Sequence, residues 1–420
     1  MLEEFLGISL AWGWLVGVVV VLALIWRLYM NIITNDYANA IQWTYLHITV
    51  PEEADQTPKA MENTYDTWDG IHKNPDLIEK YFDGMLEAWY SCEIYCTKGR
   101  VRYIMVVPTA HHTFFEGVIY GQYPQAEITE VEDYTQRYSW RDIEKKFDVF
   151  GTEMILAEDD FLPVKTYRDY EDTLAEEEKY VDPHQALIEA YTNVNEGEEF
   201  WVQVMVRPVK STVVTEWAAA AEEKINELAG KEVEKKRSLW SQAADALLAV
   251  PGLFIRAIIQ GPLEAGDSRG NGGTTFPKVS ELDRAKMEGI VRKISSGGYK
   301  TKIRVLHIAP AGKMHKPNVG RALGGFKQFN TFHLNAFAPD PETKSNAPDY
   351  ILKDWRRYWR KRRVFLGFQW RDFGNINSGF FMSAEELATL YHFPVKYVRA
   401  PAVERAKAGS GGPPDNVPFV

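Results

Sequence analysis

Apolar and polar positions along the chain follow three rules in turn. From Phe5 to Trp26 no residue is charged and most are Val, Leu or Ile. A helix of that length is about 33 Å long, enough to cross the ~30 Å hydrocarbon core of a bilayer. Trp12, Trp14, Trp26 and Tyr29 stand toward its ends with Arg27 among them, as rings and cations do at a membrane interface. A cleaved signal peptide would open with basic residues and close on small ones, whereas this chain opens with Glu3 and Glu4 and continues through Trp26, Arg27, Leu28 and Tyr29. Arg27 is the only basic residue among the first 58. The positive-inside rule then predicts a single-pass membrane protein with its C-terminal domain in the cytoplasm.

Beyond residue 30 the pattern alternates between helical and strand periods. A juxtamembrane segment, 31–58, ends in an extended stretch from Tyr45 to Val50. Residues 59–210 read as a first α+β domain: a helix over Lys59–Gly70, a hairpin from Tyr90–Tyr95 to Val101–Val107 turning at Lys98-Gly99, a helix over His111–Tyr123, and strands at Glu127–Val131 and Phe200–Val209. Residues 211–274 form a helical insertion, apolar from Ala243 to Ile259, that runs into a glycine-rich linker. Residues 275–401 repeat the order in a second domain: a helix over Glu281–Ser295, a strand over Tyr299–Ile308, a helix over Val319–Phe329 and a strand over Phe332–Phe337. Residues 402–420 are a flexible tail. Two ferredoxin-like α+β units behind a transmembrane helix are the economical fold.

Net charge changes the picture by its distribution. The chain carries −10 overall, but residues 51–200 hold 34 acidic and 13 basic side chains (−21), whereas residues 271–410 hold 11 and 25 (+14). Two cysteines, Cys92 and Cys96, make no disulfide framework and read as buried small apolar residues. The sequence contains no phosphate-binding loop, no His-Glu-x-x-His, no paired Cys-x-x-Cys and no Gly-x-Ser-x-Gly. No catalytic, cofactor or metal constellation stands out, and a non-enzymatic protein is expected.

The strongest positive feature is Lys353–Arg363. Lys353, Arg356, Arg357, Arg360, Lys361, Arg362 and Arg363 are basic there, interleaved with Trp355, Tyr358 and Trp359. On a helix the three rings fall at i, i+3 and i+4 and could pack inward, leaving the guanidiniums for the phosphates of nucleic acid or anionic lipid. An ordinary amphipathic helix whose cations pair with the acidic half fits the same pattern. Ser383 and Glu386 form a capping box for a short helix stopped by Pro394.

That last phrase carries a resemblance. Ala384–Pro394, preceded by Phe326–Thr331 and Leu334–Phe337, and farther upstream by Thr57–Glu62, Ile119–Pro124 and Gly151-Thr152-Glu153, resembles an uncharacterised membrane-anchored domain family of candidate-phyla bacteria. The same region resembles the N-terminal part of type IV secretion and conjugative DNA-transfer proteins, in which a HerA/FtsK-like ATPase follows the Glu-Leu-Ala-Thr-Leu phrase. Here the sequence stops at Val420 without that motor. The resemblance therefore implies an accessory component that organises a separately encoded P-loop motor ATPase at the membrane. Glu385, Glu386, Tyr391, His392, Phe393 and Pro394 would be its motor contacts, and DNA, anionic lipid or a second copy further partners. The alternative is a membrane-bound nucleic-acid-binding module with no motor.

Overall fold

The computed structural model describes residues 2–51, 56–73, 75–171, 182–192, 195–209, 211–229, 280–296, 298–346, 351–374, 378–394 and 403. The apolar part of the insertion, its glycine-rich linker, the arm after Pro394 and the tail apart from Val403 lie outside the described residues, as do the side chains of Trp12 and Trp14.

Helix α1 (Leu2–Ala40) is continuous, and its part from Gly17 to Ala40 is long and apolar enough to cross a membrane, holding an 18-residue stretch with a mean hydropathy of 1.9 and none of it buried. After it come β1 (Trp43–Thr49), α2 (Pro58–Trp68), the short α3 (Leu77–Tyr81), β2 (Tyr90–Thr97), β3 (Arg100–Pro108), α4 (His112–Gln122) and β4 (Glu127–Glu130). The β2–β3 turn places Lys98 and Gly99 at φ 51° and 71°, the left-handed pair whose twist suits a two-residue hairpin. Next are α5 (Trp140–Lys146), β5 (Phe147–Leu156), α6 (Arg168–Glu171), α7 (Pro183–Thr192), β6 (Glu199–Pro208) and α8 (Ser211–Leu228). The C-terminal part supplies α9 (Glu281–Ser295), β7 (Tyr299–Pro310), α10 (Lys316–Gly324), β8 (Phe337–Pro339), α11 (Lys353–Gln369), β9 (Phe380–Met382) and α12 (Ala384–Leu390).

The class is α+β, but two ferredoxin-like units do not emerge. Among the described residues all nine strands join one antiparallel sheet in the order β4-β1-β3-β2-β6-β7-β5-β8, with β9 also on β7. The join runs where a domain boundary was expected: β6 and β7 pair from Glu199↔Ile308 to Pro208↔Tyr299. Strand β5, from the acidic half, inserts between β7 and β8 of the basic half. Long β7 permits this, because β9 takes its edge at residues 299–301 and β5 the same edge from residue 303.

The two faces of the sheet differ in chemistry. One is apolar: Cys92, Ile94, Tyr103, Met105, Val202, Val204, Ile303 and Val305 meet α2, α4, α7, α10 and α12 in the largest core cluster. The other mixes aromatic and aliphatic residues, among them Tyr95, Trp201 and Leu306, with ionic ones such as Glu93 and Arg304, and is covered by α5 and α11. A smaller cluster packs Trp217 and Ala221 of α8 against Ile290 of α9, Phe161 and Phe381.

Candidate interaction face on the basic helix

Helix α11 starts after Leu352, which takes φ 56°, and lays Val364, Phe365 and Phe368 onto the sheet. Gly151 of β5 lets it approach closely: a Cβ there would lie 2.5 Å from Leu306 Cδ2 and 2.7 Å from Val364 Cγ1. The Gly-Thr-Glu phrase is therefore a packing feature.

The ring stripe splits. Tyr358 packs against α5, accepting a 3.1 Å hydrogen bond from Trp140 Nε1. Trp355 and Trp359 instead turn outward, 60% and 44% exposed, with ring centroids 6.2 Å apart. The expectation that all three rings pack inward is thus corrected; the inward sector is filled by Val364, Phe365 and Phe368. Positions 355, 359, 362, 366 and 370 recur at helical spacing, with Leu366 half-buried against the core. They present Trp355, Trp359, Arg362 and, one residue past the helix, Trp370, which is 64% exposed. The Arg362 guanidinium lies 5.4 Å from the Trp359 ring centroid, within cation–π range.

The cations divide as well. Lys361 hydrogen-bonds Asp148, and Arg360 Nη1 donates to the carbonyls of Pro341 and Lys344 at 2.9 and 3.0 Å. Lys353, Arg356 and Arg357 are half-buried, whereas Arg363 is exposed. A shallow groove of about 250 Å³ is lined by Trp355, Trp359, Arg356, Arg360 and Arg363 with Glu342 and Thr343 across from them.

The capped helix that sequence reasoning offered as a motor contact is inside the protein. Its capping box forms as expected, but Glu385, Glu386, Tyr391, His392, Phe393 and Pro394 are all buried. Glu386 pairs with Lys293 at 3.0 Å, both 1% exposed, and accepts from the Val164 N–H at 2.9 Å. Glu385 accepts from the Thr166 hydroxyl. His392 stands between two acceptors, the Ala388 carbonyl at 2.7 Å and Asp182 at 2.9 Å. These side chains stabilise the core and offer no surface to a partner.

Sequence reasoning missed a buried ionic network under α11. Arg371, at φ 50°, spans Glu93 and Asp133. Glu93 also receives Tyr134 Oη at 2.9 Å and Gln203 Nε2 at 2.9 Å. Gln203 Oε1 accepts from Arg304, which in turn binds Glu153 at 2.9 Å. The signal was present: Glu93, Gln203 and Arg304 occupy mid-strand positions where apolar residues are the norm. Burial would raise the Asp133 and Glu153 carboxyls, but Arg371 and Arg304 beside them hold both below the usual range. Near Glu153 an open cleft of about 460 Å³ is lined by Glu158, Asp159, Asp160 and Lys302. No group of three or more metal-ligating side chains occurs among the described residues. Cys92 and Cys96 are free and buried, and burial pushes both thiols up to about 12, so neither is a reactive thiolate at neutral pH.

A family model described as a domain of unknown function, DUF8128, matches residues 51–406. The chain belongs to the DUF8128 family. No curated protein matches it. The DUF8128 match takes in every strand but β1, and it leaves α1 outside. It contains α11 whole, so the Trp–Arg face belongs to the DUF8128 region and not to the apolar N-terminal helix.

Proposed function

We propose that this DUF8128 protein is a membrane-anchored, non-enzymatic accessory of a nucleic-acid-translocating complex. In this reading α1 crosses the bacterial inner membrane and the outer face of α11 holds a nucleic-acid strand. The carrying observation is the outward stripe of Trp355, Trp359 and Trp370 with Arg362 and Arg363 beside it. Exposed tryptophans at helical spacing cost solubility and stabilise no core, yet their faces suit base stacking, and adjacent guanidiniums suit phosphates. Single strands expose those bases; a duplex hides them.

The test is titration of a fluorescent oligothymidylate with the full chain in detergent micelles across a range of salt. Binding is expected to weaken steeply with salt. Trp355→Ala with Trp359→Ala is expected to cost about 1–3 kcal/mol per ring that stacks a base. No binding at low salt, or equal affinity in the double variant, would overturn this reading.

The motor-organising role that the resemblance implies is part of the same proposal, with its surface moved. The buried α12 cannot supply the contact, so a P-loop motor would meet exposed elements instead. Cross-linking in native membranes that captures no P-loop ATPase would leave the strand-binding module working without a motor.

A further inference from the structure

Helix α3 is five residues long and amphipathic. Its capping box joins Asp76 and Glu79, and Glu79 pairs with Lys73 at 2.6 Å on the polar side. At 100° per residue, Leu77, Ile78, Tyr81 and Phe82 share the other side. Tyr81 is used: its ring centroid lies 5.8 Å from that of Trp26, and its carbonyl accepts from Tyr29 Oη at 3.0 Å. Leu77, Ile78 and Phe82 are 74%, 65% and 72% exposed.

This apolar face is continuous with α1. The loop leaving α3 is keyed onto that helix at Gly84, where φ is +66° and a Cβ would lie 2.4 Å from the Ile33 carbonyl. The attachment therefore spans Trp26 to Ile33, about 10 Å of helix at 1.5 Å per residue. Immediately before it the exposed surface of α1 is Leu22, Leu24 and Ile25. A free patch of Leu, Ile and Phe held rigidly beside the end of an apolar helix, with Trp26, Tyr29 and Tyr81 between them and Lys80 and Arg27 at the same level, has the composition of an interfacial anchor.

We propose that α3 is a second membrane contact, inserting Leu77, Ile78 and Phe82 into the headgroup–acyl boundary where α1 leaves the bilayer. The inference rests on the reading of α1 as a membrane span. Together the two contacts would fix the exit depth of α1 and the orientation of the sheet, since a lone span leaves the domain free to swivel.

The experiment places an environment-sensitive thiol probe at one site at a time in the full chain, using Leu22→Cys, Ile78→Cys, Phe82→Cys or Phe332→Cys. The chain is reconstituted in phosphatidylethanolamine–phosphatidylglycerol vesicles containing lipids spin-labelled near the headgroup or deep in the acyl chain. Native Cys92 and Cys96 are buried. Probes at 78 and 82 are expected to lose fluorescence to the shallow quencher, the probe at 22 to the deep one, and the probe on fully exposed Phe332 to neither. Quenching at 22 with none at 78 and 82 would overturn the proposal while leaving the anchor intact. No quenching at 22 would overturn the anchor and this inference with it. A concentration-dependent blue shift at 78 and 82 without lipid quenching would assign the patch to a second copy and likewise overturn it.

Discussion

Replacing Arg371 with Met should destabilise the protein more than any single change on its surface. The guanidinium is 2% exposed and bonds Glu93 at 3.0 and 3.2 Å and Asp133 twice at 3.0 Å; those carboxylates are 0% and 7% exposed. It also lies 4.8 Å from the Tyr45 ring centroid. Methionine fills part of the volume but leaves two buried carboxylates facing each other without a cation. Removing one partner from such an arrangement costs about 3–5 kcal/mol, a large share of the ~5–15 kcal/mol that holds a typical domain together. The assay is urea unfolding of the full chain in non-ionic detergent at pH 7, followed by tryptophan fluorescence. Adding Glu93→Gln and Asp133→Asn to Arg371→Met should recover much of the loss, because an unpaired amide is cheaper to bury than an unpaired carboxylate. Acid should mimic the lesion. Asp133 is held below its ordinary 3.8, so its contribution is fully present above that pH and is lost as pH falls through the depressed folded value. A loss below about 1 kcal/mol for Arg371→Met, or no recovery in the triple variant, would refute the view that this network ties the two halves together.

Gly151→Ala should cost about 1–3 kcal/mol by overpacking, read as a lower urea midpoint, because its Cβ would meet Leu306 and Val364. Trp355→Ala and Trp359→Ala, on exposed rings, should leave that midpoint within about 0.5 kcal/mol of wild type, so any lost oligonucleotide binding is not a folding defect. The pair His184 and His392 should give stability a maximum near pH 6.5. Burial and the neighbouring His392 push His184 down to about 3, so its contribution is lost as pH falls below 6.5. Burial would lower His392 too, but Asp182 more than reverses it; its contribution is complete below 6.5 and is lost as pH rises through the raised folded value. Thermal midpoints against pH should show His184→Gln weakening the acid limb, to which buried His307, likewise pushed down, also contributes, and Asp182→Asn weakening the alkaline one.

Much of the secondary structure could be read from local pattern. The β2–β3 hairpin, α4, β6, α9 and β7 stand close to their expected places because each obeys one period and ends at a breaker such as Lys98-Gly99 or Pro310. Strand β5 was illegible because its facing positions answer to tertiary demands: Gly151 to the approach of α11, and Glu153 to Arg304. Strand β8 begins at Phe337, not Phe332. There Asn330 Oδ1 accepts from the Phe337 N–H, and Asn335 Nδ2 donates to the carbonyls of Asp159 and Leu162, making the segment between them a loop. Helix α12 was legible as a capped helix but not as core, since two adjacent glutamates look like surface until Lys293 and Thr166 are brought to them. The same holds for α11: its helical character is local, whereas its inward face depends on which residues of β5 and α5 lie below.

The charge split along the sequence acquires a different meaning once these pairs are known. Acidic side chains of the first half reach basic ones of the second at Glu93–Arg371, Asp133–Arg371, Glu153–Arg304, Asp148–Lys361 and Asp169–Arg292. Three of these five pairs lie beneath α11 with the cation almost fully buried. Pairs so desolvated add little net stability over an apolar core but penalise every misregistered packing, which suits a sheet assembled from interleaved halves. Four cations of the basic segment, Arg292, Arg304, Lys361 and Arg371, are therefore matched by carboxylates of the acidic one, and Arg304 and Arg371 are buried away from any outside polyanion. Beside the tryptophans of α11 a ligand would meet the half-buried Arg362 and the exposed Arg363. Neutralising Lys361 should accordingly lower stability with little change in the salt slope of strand binding, whereas neutralising Arg362 and Arg363 should reduce that slope by about one unit each at unchanged stability.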